Sequence, residues 1–157
     1  MNAKELHALA PLGALVKFSD GTSRPPDRFN KKLRAWQHHN GQGYFIKADP
    51  GDPTKSYARP YFTLQTENGS VLVVNQVFEL DSNKTFEVTP PTPGTIIAGH
   101  TYRDVFEVRH VWPGGLREAQ DWARAERYVL GKCGQEYLVV HSDGSLAKWT
   151  APEVATA

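Results

Sequence analysis

The stretch Tyr61-Phe62-Thr63-Leu64-Gln65-Thr66-Glu67-Asn68-Gly69-Ser70-Val71-Leu72-Val73-Val74 sets an Asn-Gly pair between two β-favouring runs. Both central residues of a type I′ turn need positive φ, which Asn and Gly adopt readily, so this pattern predicts a tight antiparallel hairpin. Tyr137-Leu138-Val139-Val140 and Leu146-Ala147-Lys148-Trp149 repeat the arrangement around Asp143-Gly144. A third pair, Asp20-Gly21, follows Leu15-Val16-Lys17-Phe18, but Pro25 and Pro26 cut its second arm short. The fold is therefore read outward from hairpins.

Val105 to Trp112 alternates, which predicts a half-buried strand with Phe106, Val108, His110 and Trp112 on one face. Tyr44-Phe45-Ile46 and Thr85-Phe86-Glu87-Val88 predict shorter strands. Pro90-Pro91-Thr92-Pro93-Gly94 reads as a rigid loop before strand-like Thr95-Ile96-Ile97. Two segments carry helical spacing. Leu116 to Leu130 aligns Leu116, Ala119, Ala123 and Leu130, with Trp122 beside them, and Gly131 offers a stop. Asp27 to His39 aligns Phe29, Leu33 and Trp36 and ends at Asn40-Gly41. The expected class is α+β and β-rich: a curved antiparallel sheet or small open barrel of about six to eight strands with two packed helices. A single domain over residues 1–157 is expected, with a short helical turn at Lys4 to Leu9 and a loose tail from about residue 151.

Composition agrees with a globular chain: 39% of the 157 residues are apolar and 22% charged, while 11 prolines and 13 glycines favour short elements and many turns. Cys133 is the only cysteine, which excludes an internal disulfide. Met1 to Leu15 is broken by Glu5, His7 and Pro11 and does not form the apolar stretch of a signal peptide. No apolar run approaches the roughly 20 residues that span a bilayer. These features lead to the expectation of a cytoplasmic protein without a membrane partner.

Net charge is only +1, yet its distribution is uneven. Gly21 to Thr66 carries eight basic residues against three acidic ones, and Glu67 to Glu107 carries six acidic residues against two basic ones. In the basic part, residues 24–59, cations are interleaved with Phe29, Trp36, Tyr44, Phe45 and Tyr57. Phosphates attract Lys and Arg through charge and counterion release, and exposed rings stack on unpaired bases. The candidate nucleic-acid-binding residues are Arg24, Arg28, Lys31, Lys32, Arg34, Trp36, Tyr44 and Lys47, with Trp36 or Tyr44 as the stacking ring. On the predicted helix, Lys31, Lys32, Arg34 and His38 lie mostly off the apolar stripe. The plain alternative is an amphipathic helix with a solvated basic face and core aromatics.

Other chemistry lacks its spacing. His38 and His39 are adjacent, and neighbouring side chains on a helix diverge by about 100°; with no His-x3-His pair and no second cysteine, no metal site is expected. Cys133 with His110 or His141 and Asp143 would supply a nucleophile, base and orienter, but no motif supports that trio. There is no Gly-x-Ser-x-Gly elbow and no phosphate-cradling loop, and Gly41-Gln42-Gly43 lacks a third glycine. Asp49-Pro50-Gly51-Asp52 lacks the further ligands of a calcium loop. No cofactor is expected. The reading is a small non-enzymatic binding module that contacts nucleic acid by its backbone or single strand. The alternative is a protein-interaction or self-assembling module that uses oppositely charged faces against an acidic surface or a second copy. An enzyme with an unrecognised site comes last.

Overall fold

The computed structural model describes residues 1–67, 73–103, 105–125, 130 and 135–150. The chain forms two compact units, Met1–Thr89 and Pro90–Ala157. Both are strand-rich mixtures of antiparallel sheet and helix.

The first unit opens with α1 (Ala3–Leu9) and continues through β1 (Leu15–Ser19), α2 (Asn30–His39), β2 (Gly41–Asp49), β3 (Tyr61–Glu67), β4 (Val73–Glu79) and β5 (Thr85–Thr89). Its five strands form one antiparallel sheet in the order β4-β3-β2-β1-β5. Alternation in β1 sends Val16 and Phe18 to one face, where they meet Phe45, Phe62, Leu64, Phe78 and Phe86. The rings interlock: Phe62 stacks on Phe78 at 5.3 Å, and Phe86 meets both edge-on at 5.4 and 5.6 Å. Such aromatic pairs add about 0.5–1.5 kcal/mol each beyond the area they bury. α1 closes this face with Ala3 and Leu6, one turn apart. An N-terminal capping box fixes its start: Asn2 Oδ1 accepts from Glu5 N while Glu5 Oε2 accepts from Asn2 N.

A bulge in β2 decides where its charged residues point. Phe45 pairs with Leu64 and Lys47 with Thr63, which leaves Ile46 as the extra residue. Without it, Lys47 would follow Phe45 onto the core face. With it, Lys47 stands on the opposite face, 3.5 Å from Asp49 Oδ2 and with its ammonium 5.6 Å from the centre of the Tyr61 ring.

The second unit contains β6 (Ile96–Tyr102), β7 (Val105–Trp112), α3 (Gly115–Ala125), β8 (Glu136–Val140) and β9 (Leu146–Lys148). The sheet order is β7-β6-β8-β9, all antiparallel. Ala119 and Ala123, four residues apart on α3, are buried, and Ala119 joins Ile96, Ala98, Trp112 and Tyr137 in the core. His110 lies against Trp112 and Trp122, with ring centres 5.4 and 4.5 Å away. Burial lowers its pKa below the ordinary histidine value, and the Arg109 charge adds to the shift.

The α+β, strand-rich class matches the sequence reading, but the arrangement departs from it in four ways. The strands divide between two sheets of five and four, so nine are present among the described residues instead of six to eight in one curved sheet, and no barrel closes. Asp20-Gly21 turns the chain toward α2 and makes no hairpin; β1 pairs with β2 and β5 instead. The β8–β9 hairpin forms, but its loop is a three-residue type: Gly144 N donates to His141 O and His141 N to Ser145 O, and only Gly144 has positive φ. A type I turn closed by a left-handed glycine satisfies the same Asp-Gly sequence as a type I′ turn. Finally, β7 carries a bulge at Arg109, since Ala98 pairs with His110 but Gly99 with Val108. Phe106 and Val108 therefore face away from His110 and Trp112, not with them. β3 and β4 pair as read, up to Glu67 opposite Val73, while Asn68-Gly69 lies outside the described residues, as do Gly131, Cys133 and the tail from 151.

Candidate nucleic-acid interface

α2 begins later than the sequence suggests, because Pro25 and Pro26 precede a turn in which Phe29 N donates to Pro26 O. Its N-cap is Phe29, which offers no side-chain acceptor to the first free N–H groups. The first turn has no acidic residue and carries Lys31 and Lys32, with Arg28 just outside it. Cations at the positive end of a helix dipole cost stability, by a few tenths of a kcal/mol each at an exposed site. No residue of α2 is buried. α2 packs less deeply than α1 and α3: Leu33 and Trp36 are only half-buried. Its apolar stripe has only three members, and Phe29 remains 43% exposed.

Polar contacts hold the C-terminal end of α2. Gln76 Nε2 donates to His38 O at 3.0 Å, and Lys84 Nζ donates to His39 O at 3.3 Å. Both satisfy carbonyls that the helix leaves without partners, and the Lys84 charge suits the negative end of the dipole. Asn40 is the hub. Its side chain, 5% exposed, accepts from Ser19 Oγ and Asp20 N and donates to Asp20 Oδ1 and Trp36 O. Trp36 adds a bond from Nε1 to Thr22 O at 3.0 Å. Sequence reasoning treated Asn40 only as a helix stop; neither its hub role nor that of Gln76 and Lys84 has a local signal.

Asp20 accepts from the Thr22 hydroxyl, the Thr22 backbone N–H and the Asn40 amide, which together lower its pKa from 3.8 to about 2. A carboxyl group whose folded pKa is depressed stabilises the fold above its unfolded pKa, and that contribution fades as pH falls toward the folded value. Asp20→Asn is therefore expected to melt below the wild type at pH 6. The gap between the two should close between about pH 4 and pH 2 in a thermal-unfolding series. A gap that stayed constant down to pH 2 would show that the Asp20 charge contributes nothing. Asp52 and Asp143 make the same contacts with Thr54 and Ser145 and are also lowered, so the comparison must be between variant and wild type.

The structure parts the eight candidate residues, and Trp36 is half-buried with its N–H given to Thr22 O. Arg24 is paired with Asp27 at 2.7 Å. Arg28, Lys31, Lys32 and Arg34 are exposed, and among the described residues none of them has a carboxylate within ion-pair distance. Arg28 and Lys32 instead lie over the Phe29 ring, 4.9 and 5.5 Å from its centre. Lys31, Arg34 and His38 fall along one helical stripe, roughly opposite Phe29, Leu33 and Trp36. Tyr44 and Lys47 do not join them. Gly41, on the core face, lies beneath the last turn of α2, where an added Cβ would be 3.7 Å from Gln37 O; Tyr44 and Lys47 stand on the other face. Farther along the basic stretch, Lys55 pairs with Asp52 at 3.3 Å and Arg59 with Glu79 at 3.9 Å.

Next to α2, a shallow open cleft of about 550 Å³ lies between Ala35, His38 and His39 on one side and Gln76, Val77 and Phe78 on the other. Lys84 also lines it, with its ammonium 3.1 Å from His39 Nδ1. Among the described residues no three His, Cys, Asp or Glu side chains gather as metal ligands, and no helix is long and apolar enough to cross a membrane. A family model described as Uncharacterised conserved protein UCP036055 matches residues 1–135. No curated protein and no solved structure matches the chain.

Proposed function

The chain belongs to this family, and from its own surface we propose that it is a nucleic-acid-binding module whose contact surface is α2 together with Arg28. The observation that carries the reading is a helix with no fully buried residue and no acidic residue, whose Lys31, Lys32 and Arg34, with Arg28 just before it, are exposed and unpaired among the described residues. Such a helix forgoes both the buried stripe and the acidic first turn that ordinarily stabilise helices. A phosphate chain laid along it would supply the missing negative charge and release counterions as it binds. The reading drops Arg24, Tyr44 and Lys47 from the surface, since an ion pair or the sheet itself sets them apart.

The test is fluorescence anisotropy with a labelled mixed-sequence oligonucleotide at low salt. Lys31→Ala/Lys32→Ala/Arg34→Ala is expected to weaken binding by about tenfold or more while leaving the circular dichroism spectrum unchanged, because none of the three side chains is buried. Three lost phosphate contacts should also flatten the plot of log affinity against log salt by about 2. Absence of binding by the wild type at low salt removes the proposal. Undiminished binding by the triple variant moves the surface elsewhere.

A further inference from the structure

The first unit contains six phenylalanines, and five of them, Phe18, Phe45, Phe62, Phe78 and Phe86, form its core. Phe29 is the exception. It sits at the start of α2, 43% exposed, with a guanidinium and an ammonium over its ring. A ring left 43% exposed gains only part of what full burial would give, and as N-cap it serves the helix worse than Ser, Thr, Asp or Asn would. Trp36, the larger aromatic of the helix, is half-buried and has its N–H bonded to Thr22 O. Tyr44 lies on the far face of the sheet.

The geometry points to Phe29 as a stacking platform for one unpaired base, with Arg28 and Lys32 holding the phosphates on either side of that nucleotide. This inference rests on the nucleic-acid reading of α2 and narrows it to single strands. In a duplex the base faces are covered by their neighbours, so a lone exposed ring has nothing to stack on; in a single strand every base offers one. The cations are placed for the same task. Arg28 lies over the ring, 4.9 Å from its centre, and a base that takes its place there leaves the guanidinium beside the nucleotide, within reach of its phosphate. Lys32 approaches within 5.5 Å of the ring centre. That is close enough for one nucleotide to meet ring and charge together.

Four probes separate the contributions: a labelled single strand of about 15 nucleotides, its duplex, inorganic polyphosphate and polyglutamate, each titrated with wild type and with Phe29→Leu, which keeps apolar bulk and removes the aromatic face. The expected result is that Phe29→Leu weakens single-strand binding about tenfold and changes polyphosphate binding less than twofold. Phe29→Trp should restore the single strand and show quenching of its added indole fluorescence on binding. Equal losses on both probes, or none on either, overturn the platform while leaving the phosphate surface intact. Tighter binding of the duplex than of the strand also overturns it. Polyglutamate bound as tightly as the single strand would assign the surface to an acidic protein. Failure of wild type to bind any nucleic acid or polyphosphate would remove both the surface and the platform.

Discussion

Replacing Gly99 with alanine is expected to destabilise the second unit by about 3 kcal/mol, at the upper end of what overpacking costs. Gly99 sits in β6 opposite the bulge in β7. An added Cβ there would collide with the Glu107 carbonyl oxygen and come within 2.9 Å of two carbons of the Phe106 ring. The ring belongs to a side chain with rotatable bonds, but the carbonyl is fixed by the sheet. Relief then requires β6 and β7 to move apart beside the bulge. Gly144→Ala is the control: Gly144 has φ +82, but an added Cβ meets nothing within 4 Å, so only the backbone penalty of about 1 kcal/mol applies. Urea unfolding followed by tryptophan emission separates the two, because Trp112, Trp122 and Trp149 all belong to this unit. Equal midpoints for Gly99→Ala and Gly144→Ala would show that the close approach of Gly99 to β7 is not a constraint on the fold.

That glycine also marks the boundary of what the chain discloses. Alternation identified β7 as a strand, and turn chemistry placed β8 beside β9, because both signals are local: a side-chain period of two, and a residue that tolerates positive φ. The bulges at Ile46 and Arg109 are set by register against the neighbouring strands β3 and β6, so nothing within β2 or β7 alone announces them. Each reverses the face of the residues that follow. The first carries Lys47 away from the basic surface, and the second parts Val108 from His110. The candidate surface was legible in its charges, since Arg28, Lys31, Lys32 and Arg34 lie within seven positions. Its aromatic member was not. Phe29 fits the spacing of Leu33 and Trp36, and whether such a stripe is buried depends on what stands opposite it in space. Here the five other phenylalanines and α1 already close that core, and α2 is left on polar anchors.

Those anchors converge on Asn40, which makes Asn40→Leu the second large effect, about 2 kcal/mol. The leucine keeps the branched shape but ends four hydrogen bonds at a site 5% exposed. Net hydrogen bonds in such networks contribute roughly 0.5–1.5 kcal/mol each. Water can reach the exposed Asp20 carboxylate once the amide is gone, which returns part of that sum. Asn40→Asp distinguishes the hub from mere packing. It keeps the shape but sets a second carboxylate against Asp20 Oδ1, 2.9 Å from where the amide nitrogen stood. Two carboxylates at that distance resist ionising together, so the deficit should be large at pH 7 and shrink on acidification as the pair takes up a proton. Asn40→Leu has no such proton to gain, and its deficit should follow only the loss of the Asp20 contribution at low pH. If the two variants show the same pH profile, Asn40 acts by filling space; if they diverge as described, the amide is what joins Asp20 to the end of α2.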